Sequence, residues 1–108
     1  MGQDRYDRTN FLILLDFDTR KRHYHFAEAG RITKFAVQLE VKLGDTWKEV
    51  VRYDCAHGYA HKDLYNIKGK HRKINISMSY EDALTYADDD INENWEIYRH
   101  RFLKGDMS

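Results

Sequence analysis

Apolar residues recur at spacings of three and four over the last quarter of the chain. This stripe, which has the period of an amphipathic helix, comprises Tyr80, Leu84, Ala87, Ile91, Trp95, Tyr98 and Phe102. Ser79 precedes the stripe as a candidate N-cap, and Gly105 follows it, where helices commonly end in glycine. Acidic residues crowd the first half and basic residues the last turns, the order that the helix dipole favours. The pattern predicts one long C-terminal helix with a buried apolar stripe and a solvated acidic face.

Strict alternation of apolar and polar residues predicts strands earlier in the chain. Residues Phe35 to Val41 alternate in this way, Gly44-Asp45 reads as a turn, and the alternation resumes from Trp47 to Asp54. These two runs predict an antiparallel hairpin. The residues of the second run assigned to one face are Trp47, Val51 and Tyr53.

Three further segments complete the predicted sheet. Leu64–Ile67 and Ile74–Met78 predict a second hairpin around Lys68-Gly69-Lys70, and Tyr24 and Phe26 indicate another strand.

The sequence therefore predicts an α+β fold: an antiparallel sheet of about four to six strands with one long C-terminal helix packed across one face. Residues 1–108 are assigned to a single domain, because the length fits one domain. The pattern leaves open whether Phe11–Phe17 is strand or helix, and whether the first ten residues are ordered.

Composition narrows the class of protein. A hydrophobic fraction of 42% and a charged fraction of 33% indicate a globular chain. The single cysteine excludes an internal disulfide framework, and the apolar runs are too short for a membrane span or a secretion signal, so we expect a cytoplasmic protein with no membrane partner. The 18 basic and 18 acidic residues balance, which argues against a dedicated nucleic-acid binder.

Polar chemistry concentrates between Arg52 and Asp63. The candidate catalytic residues of this segment are Asp54, His57, His61 and Asp63. They allow acid–base chemistry on a phosphodiester, a metal site of two imidazoles and a carboxylate, or a Cys55 thiolate activated by His57. The alternative is a structural loop in which these side chains bond to the loop itself. We predict no bound cofactor and no tightly held metal, because histidines on a glycine-containing loop make a poor closed site.

A basic segment follows from Lys62 to Lys73. Its candidate substrate-binding residues, which interleave cations with an aromatic ring as in single-stranded nucleic-acid binders, are Lys62, Tyr65, Lys70 and Lys73. The alternative is a solvated hairpin whose lysines discourage edge-to-edge aggregation.

Several of these residues resemble a family of short prokaryotic proteins of unknown function, over roughly residues 32–102. The matching positions are Arg52-Tyr53-Asp54, Ala56-His57-Gly58, His61, Asp63, Tyr80, Ala83-Leu84, Ala87, Asp90-Ile91, Asn94-Trp95 and Tyr98-Arg99. The Tyr-Asp-x-Ala-His-Gly stretch is also similar, more faintly, to proteins described as toxin components of toxin–antitoxin pairs. The resemblance implies a prokaryotic source and RNA as a substrate; it assigns no catalytic residue.

Two functional hypotheses follow, and the sequence alone leaves the function unknown. The first is a protein-binding or scaffold module acting through a protein partner or as a homo-oligomer. The alternative is a toxin-like enzyme acting on RNA, with His57 and His61 as acid and base. Exposure of Phe11–Leu15 or of the Trp47 face would favour the first hypothesis, and convergence of the histidines and lysines on one concave surface would favour the second.

Overall fold

A computed structural model describes residues 6–106. Its elements are β1 (Tyr6–Asp16), β2 (Thr19–Glu28), β3 (Arg31–Leu43), β4 (Thr46–Asp54), β5 (His61–Tyr65), β6 (His71–Asn75) and α1 (Tyr80–Lys104). The strands pair in chain order as one six-stranded antiparallel sheet. The helix packs across β3 and β4. The predicted α+β fold is confirmed.

The core lies between α1 and the middle of the sheet. Its buried residues are Phe35, Val37, Leu39, Val41, Val50, Val51, Tyr53, Ala60, Ala83, Leu84, Ala87, Ile91 and Phe102. Full burial of each large aliphatic side chain stabilises the fold by about 1.5–3 kcal/mol. Ser79 caps α1 by accepting a hydrogen bond from the Asp82 amide at 3.1 Å, and Gly105 ends the helix at φ +82°. The helical stripe and both of its ends are thus as predicted, although Tyr80, Trp95 and Tyr98 are only partly buried.

A β-bulge at Val50 interrupts the β3–β4 ladder, since the residues on either side of it pair with consecutive residues of β3. The bulge reverses the alternation along β4. Trp47 therefore lies on the face opposite α1, where the Arg20 guanidinium covers its ring at 4.0 Å. Val51 and Tyr53 are fully buried on the helix side. The prediction that Trp47 shares their face is wrong.

The ambiguous N-terminal run is a strand. Residues 11–16 belong to β1, and Phe17 lies in the turn to β2, the strand that carries Tyr24 and Phe26. Residues 6–10 also belong to β1, whereas residues 1–5 of the segment whose order was left open lie outside the described residues. The second hairpin turns around Lys68–Lys70 as predicted, with its strands beginning and ending a few residues earlier.

Candidate functional site

The face of the sheet opposite α1, called the open face below, carries the candidate catalytic residues that lie in strands. Asp54 pairs with His61 across the β4–β5 ladder, and Arg52 pairs with Asp63. Paired residues of antiparallel strands project to the same side. The connecting loop turns at Gly58, which has φ +85°, a conformation that L side chains rarely adopt. The hairpin register, rather than the loop, therefore brings these side chains together.

Asp54, His61 and Asp63 form a buried group, the carboxylate–histidine cluster. His61 Nε2 lies 2.6 Å from Asp54 Oδ1, and His61 Nδ1 lies 3.2 Å from Asp63 Oδ2. The residues are 6%, 2% and 4% exposed, in chain order. One ligand atom from each lies within 4.8 Å of the other two, and no other group of three such residues within 6–106 is arranged to hold a metal ion.

Neighbouring side chains hold the outer oxygens of both carboxylates. Arg52 Nε donates to Asp54 Oδ2 at 2.5 Å, and His71 Nε2 lies 2.8 Å from Asp63 Oδ1. The inner oxygen of Asp54, Oδ1, accepts a hydrogen bond from the Ala56 amide at 3.3 Å. The carboxylates are therefore fixed in orientation, with one oxygen of each directed at His61.

This network continues across the open face through residues that the sequence pattern did not single out. Arg52 Nη1 donates to Gln38 Oε1 at 2.6 Å, and Gln38 Nε2 donates to Glu40 Oε2 at 2.5 Å. Burial raises the pKa of Glu40, but hydrogen bonds from Arg20, Arg22 and Gln38 outweigh it and lower the pKa overall. Gln38 and Glu40 were assigned only as the polar alternates of β3. Arg20 and Arg22 also alternate, in the neighbouring strand β2, and their charges were a signal in the sequence for a charged network on this face.

His57 and Cys55 lie in the loop above the cluster. The exposed His57 ring stacks on His61 with centroids 5.5 Å apart. The Cys55 thiol donates instead to the Phe35 carbonyl oxygen, at 3.9 Å. Of the two loop residues, His57 is therefore the one that contacts the carboxylate–histidine cluster.

Lys62, a predicted substrate-binding residue, faces α1 rather than the open face. Its ammonium donates to the Tyr98 hydroxyl at 2.6 Å and lies 3.7 Å from Asp90 Oδ2. Tyr53 and Tyr98 both donate to that Asp90 oxygen at 2.5 Å. Burial raises the pKa of Asp90, but these hydrogen bonds and the Lys62 charge outweigh it and lower the pKa overall. The structure thus places Lys62 in a helix–sheet contact, apart from His61.

The remaining substrate-binding candidates lie on the β5–β6 hairpin. Lys70 and Lys73 are exposed. The Tyr65 ring stacks on His71 with centroids 4.6 Å apart, and burial raises the pKa of Tyr65 to about 12. Tyr65 and Lys73 share the open face with the carboxylate–histidine cluster, whereas Lys70 lies in the turn.

A groove of about 400 Å³ runs beside the cluster, between the loop and strands β2–β4. Arg52 and Asp54 contribute its polar wall, and Tyr24, Phe35 and Tyr80 contribute aromatic surface. Asp54 is therefore the member of the carboxylate–histidine cluster that can be reached from this side.

A second candidate site is the first strand of the sheet. Among residues 6–106, β1 pairs only with β2 and forms one edge of the sheet. Its central residues are apolar yet exposed: Phe11 by 39%, Leu12 by 49%, Ile13 by 41% and Leu14 by 67%. We call this segment, Phe11–Leu14, the β1 edge.

Residues 2–108 match a family described as Domain of unknown function (DUF7718). The chain belongs to this family. No curated protein and no solved structure matches the chain. The resemblance stated from the sequence is thereby confirmed to the extent of a domain of unknown function, and the prokaryotic source and the toxin link stay predictions. Within residues 6–106, no helix has the length and apolar character needed to cross a membrane.

Proposed function

We propose that this domain is a protein-binding module that pairs with a second copy of itself through the β1 edge. The observation that carries the proposal is the exposure of four consecutive apolar residues, Phe11–Leu14, on an edge strand. Phe11 and Ile13 project to one face of the sheet and Leu12 and Leu14 to the other, so exposed apolar surface flanks the edge on both faces. Edge strands also present backbone donors and acceptors that another strand can pair with.

The two edges of the sheet differ in the way that this proposal requires. β6 is only five residues long and carries His71, Arg72 and Lys73, all of them exposed. Short length and positive charge are the usual protection of an edge against pairing. β1 is 11 residues long and has no charged residue between Arg8 and Asp16. The β1 edge is therefore the unprotected one.

A second copy fits the β1 edge because the apolar run from Phe11 to Leu15 is symmetric about Ile13. Antiparallel pairing about a two-fold axis at Ile13 sets that residue against itself and Leu12 against Leu14 of the other copy. The same patch then serves both copies, as a two-fold interface requires. Side chains of one face stay on that face, so the two sheets would join with both helices on the same side.

The RNA-acting alternative draws less support from the geometry. His61 is 2% exposed, and Lys62 contacts α1 rather than the open face. Acid–base catalysis needs the acting nitrogen within hydrogen-bond reach of the substrate. The alternative stays a prediction that the experiment below also addresses.

Sedimentation equilibrium tests the proposal. We expect wild type to be a dimer at micromolar concentration and the double variant Leu12→Lys, Leu14→Lys to be a monomer, because four lysines would meet at the symmetric interface. The matched control is Ile97→Lys, Leu103→Lys, which places two charges on exposed positions of α1, 50% and 40% exposed. The control should remain a dimer, and circular dichroism should show that all three proteins are folded.

Two results would overturn the proposal. One is a wild-type protein that stays monomeric throughout the concentration series. The other is a dimer that survives the β1 substitutions but dissociates in the α1 control, which would move the interface to the helix. Incubation of wild type and His57→Ala with total RNA completes the test: cleavage by wild type alone would favour the enzyme in place of the binding module.

A further inference from the structure

We infer that the carboxylate–histidine cluster, Asp54, His61 and Asp63, binds one divalent transition-metal ion of the Zn²⁺ or Mn²⁺ type. This inference is independent of the β1 edge. It also departs from the expectation of no metal, which assumed that both histidines sit on a glycine-containing loop. His61 instead belongs to β5, and its partners are fixed by the β4–β5 register.

The metal-ligating atoms of the three side chains converge on one point. Ligand atoms from the three residues lie within 4.8 Å of one another. Neighbouring ligands of a tetrahedral ion are about 3.4 Å apart, because each bond to nitrogen or oxygen is about 2.1 Å long. Donors at the 4.8 Å limit would therefore have to approach by about 1.4 Å, a movement that two side chains can share.

The hydrogen bonding of the His61 ring also supports a bound ion. Both of its ring nitrogens are buried, and neither makes a hydrogen bond to any residue within 6–106. Carboxylate oxygens are near, at 2.6 and 3.2 Å, but they lie out of line with the ring nitrogens. A buried polar group left in this state costs about 1–3 kcal/mol. The misalignment leaves the ring nitrogens of His61 free to coordinate a cation.

Contacts from outside the cluster fix the orientation of both carboxylates. Arg52 holds the outer oxygen of Asp54, and His71 contacts the outer oxygen of Asp63. Ligating carboxylates are commonly held by outside hydrogen bonds in this way. The inner oxygens are left directed at His61, which lies between them.

The donor set selects the class of cation. Two carboxylates neutralise a divalent charge, and an imidazole nitrogen favours transition metals over Mg²⁺ or Ca²⁺. The exposed His57 ring, stacked on His61 at 5.5 Å, could supply a fourth ligand if the loop shifts. Asp54 borders the groove of about 400 Å³, which gives the ion a path inward.

Calorimetric titration of chelator-treated protein with Zn²⁺ and with Mn²⁺ tests the inference. We expect one equivalent to bind wild type and affinity to fall at least about tenfold in Asp63→Asn, which keeps the side-chain shape but removes the charge. Glu93→Gln, on the exposed face of α1, is the matched carboxylate control. His25→Ala is the histidine control, because His25 and His23 form a rival pair with nitrogens 2.8 Å apart. Both controls should bind as wild type does.

The inference is overturned if wild type binds neither ion, or if His25→Ala loses binding while Asp63→Asn retains it. Mn²⁺ broadening of amide NMR signals locates the ion in wild type, so the test survives a variant that fails to fold. Signals of residues 54, 61 and 63 should broaden first. Broadening centred elsewhere would also overturn the inference.

Discussion

Replacement of Asp90 by asparagine tests a partly buried polar contact between helix and sheet. The Asp90 carboxylate accepts hydrogen bonds from Tyr53 and Tyr98 and lies 3.7 Å from the Lys62 ammonium. Removing one partner of a buried ion pair costs about 3–5 kcal/mol. The Asp90 side chain is 12% exposed and the Lys62 side chain 16%. Residual hydration therefore places the expected loss nearer about 2–4 kcal/mol.

The effect should depend on pH in a defined direction. Because the pKa of Asp90 is lowered in the folded state, its stabilisation is complete above the unfolded pKa and is lost as pH falls through the folded pKa. The unfolded pKa is about 3.9. The difference in stability between wild type and Asp90→Asn should thus be constant near neutral pH and shrink below about pH 4.

Urea denaturation of wild type, Asp90→Asn and Asp89→Asn measures these differences. Asp89 is the adjacent, exposed carboxylate, so its substitution should change the free energy of unfolding by less than about 0.5 kcal/mol. Equal losses in the two variants at neutral pH would refute the reasoning. So would an Asp90→Asn deficit that persists unchanged in acid, since the charge could not then be its source.

Three further substitutions test the helix. Trp95→Ala should cost about 3 kcal/mol, the lower end of the range for aromatic truncation, because Trp95 is only half-buried. Glu93→Ala, at an exposed position, should cost under about 0.5 kcal/mol. Similar urea midpoints for the two variants would contradict the assignment of the buried face. Ser79→Ala should cost about 1 kcal/mol, because the hydroxyl accepts the Asp82 amide hydrogen bond at the helix N-terminus. A thermal melt that matches wild type would show that this cap contributes nothing.

Elements governed by local chemistry could be predicted from the sequence. The helix was visible because its apolar period, its Ser79 cap and its Gly105 terminus agree with one another. The β3–β4 hairpin was visible because alternation on both sides of Gly44 has the period of a strand. Each signal comes from residues close together in the chain, so no knowledge of the tertiary fold was needed.

Features set by pairing across the sheet could not be predicted. The bulge at Val50 depends on register with β3 and moves Trp47 to the other face. The acidic run of α1 was assigned to solvent as a whole, yet Asp88 contacts buried Lys21 at 3.1 Å and Asp90 contacts Lys62. Helical period alone does not show which charges meet partners on a sheet whose topology is unknown.

His57 and His61 illustrate the same limit of sequence-based prediction. The difference between their environments can be tested. The sequence grouped them as two histidines of one glycine-containing loop. In the structure His57 is exposed, whereas His61 is 2% exposed between two buried carboxylates. In metal-free buffer, His57→Ala should cost under about 0.5 kcal/mol. His61→Ala should cost about 2–5 kcal/mol, as for truncation of a large, fully buried side chain, because it would leave a cavity between Asp54 and Asp63. Urea melts of the two variants decide the point: equal losses, small or large, would mean that β5 does not hold His61 in the position described.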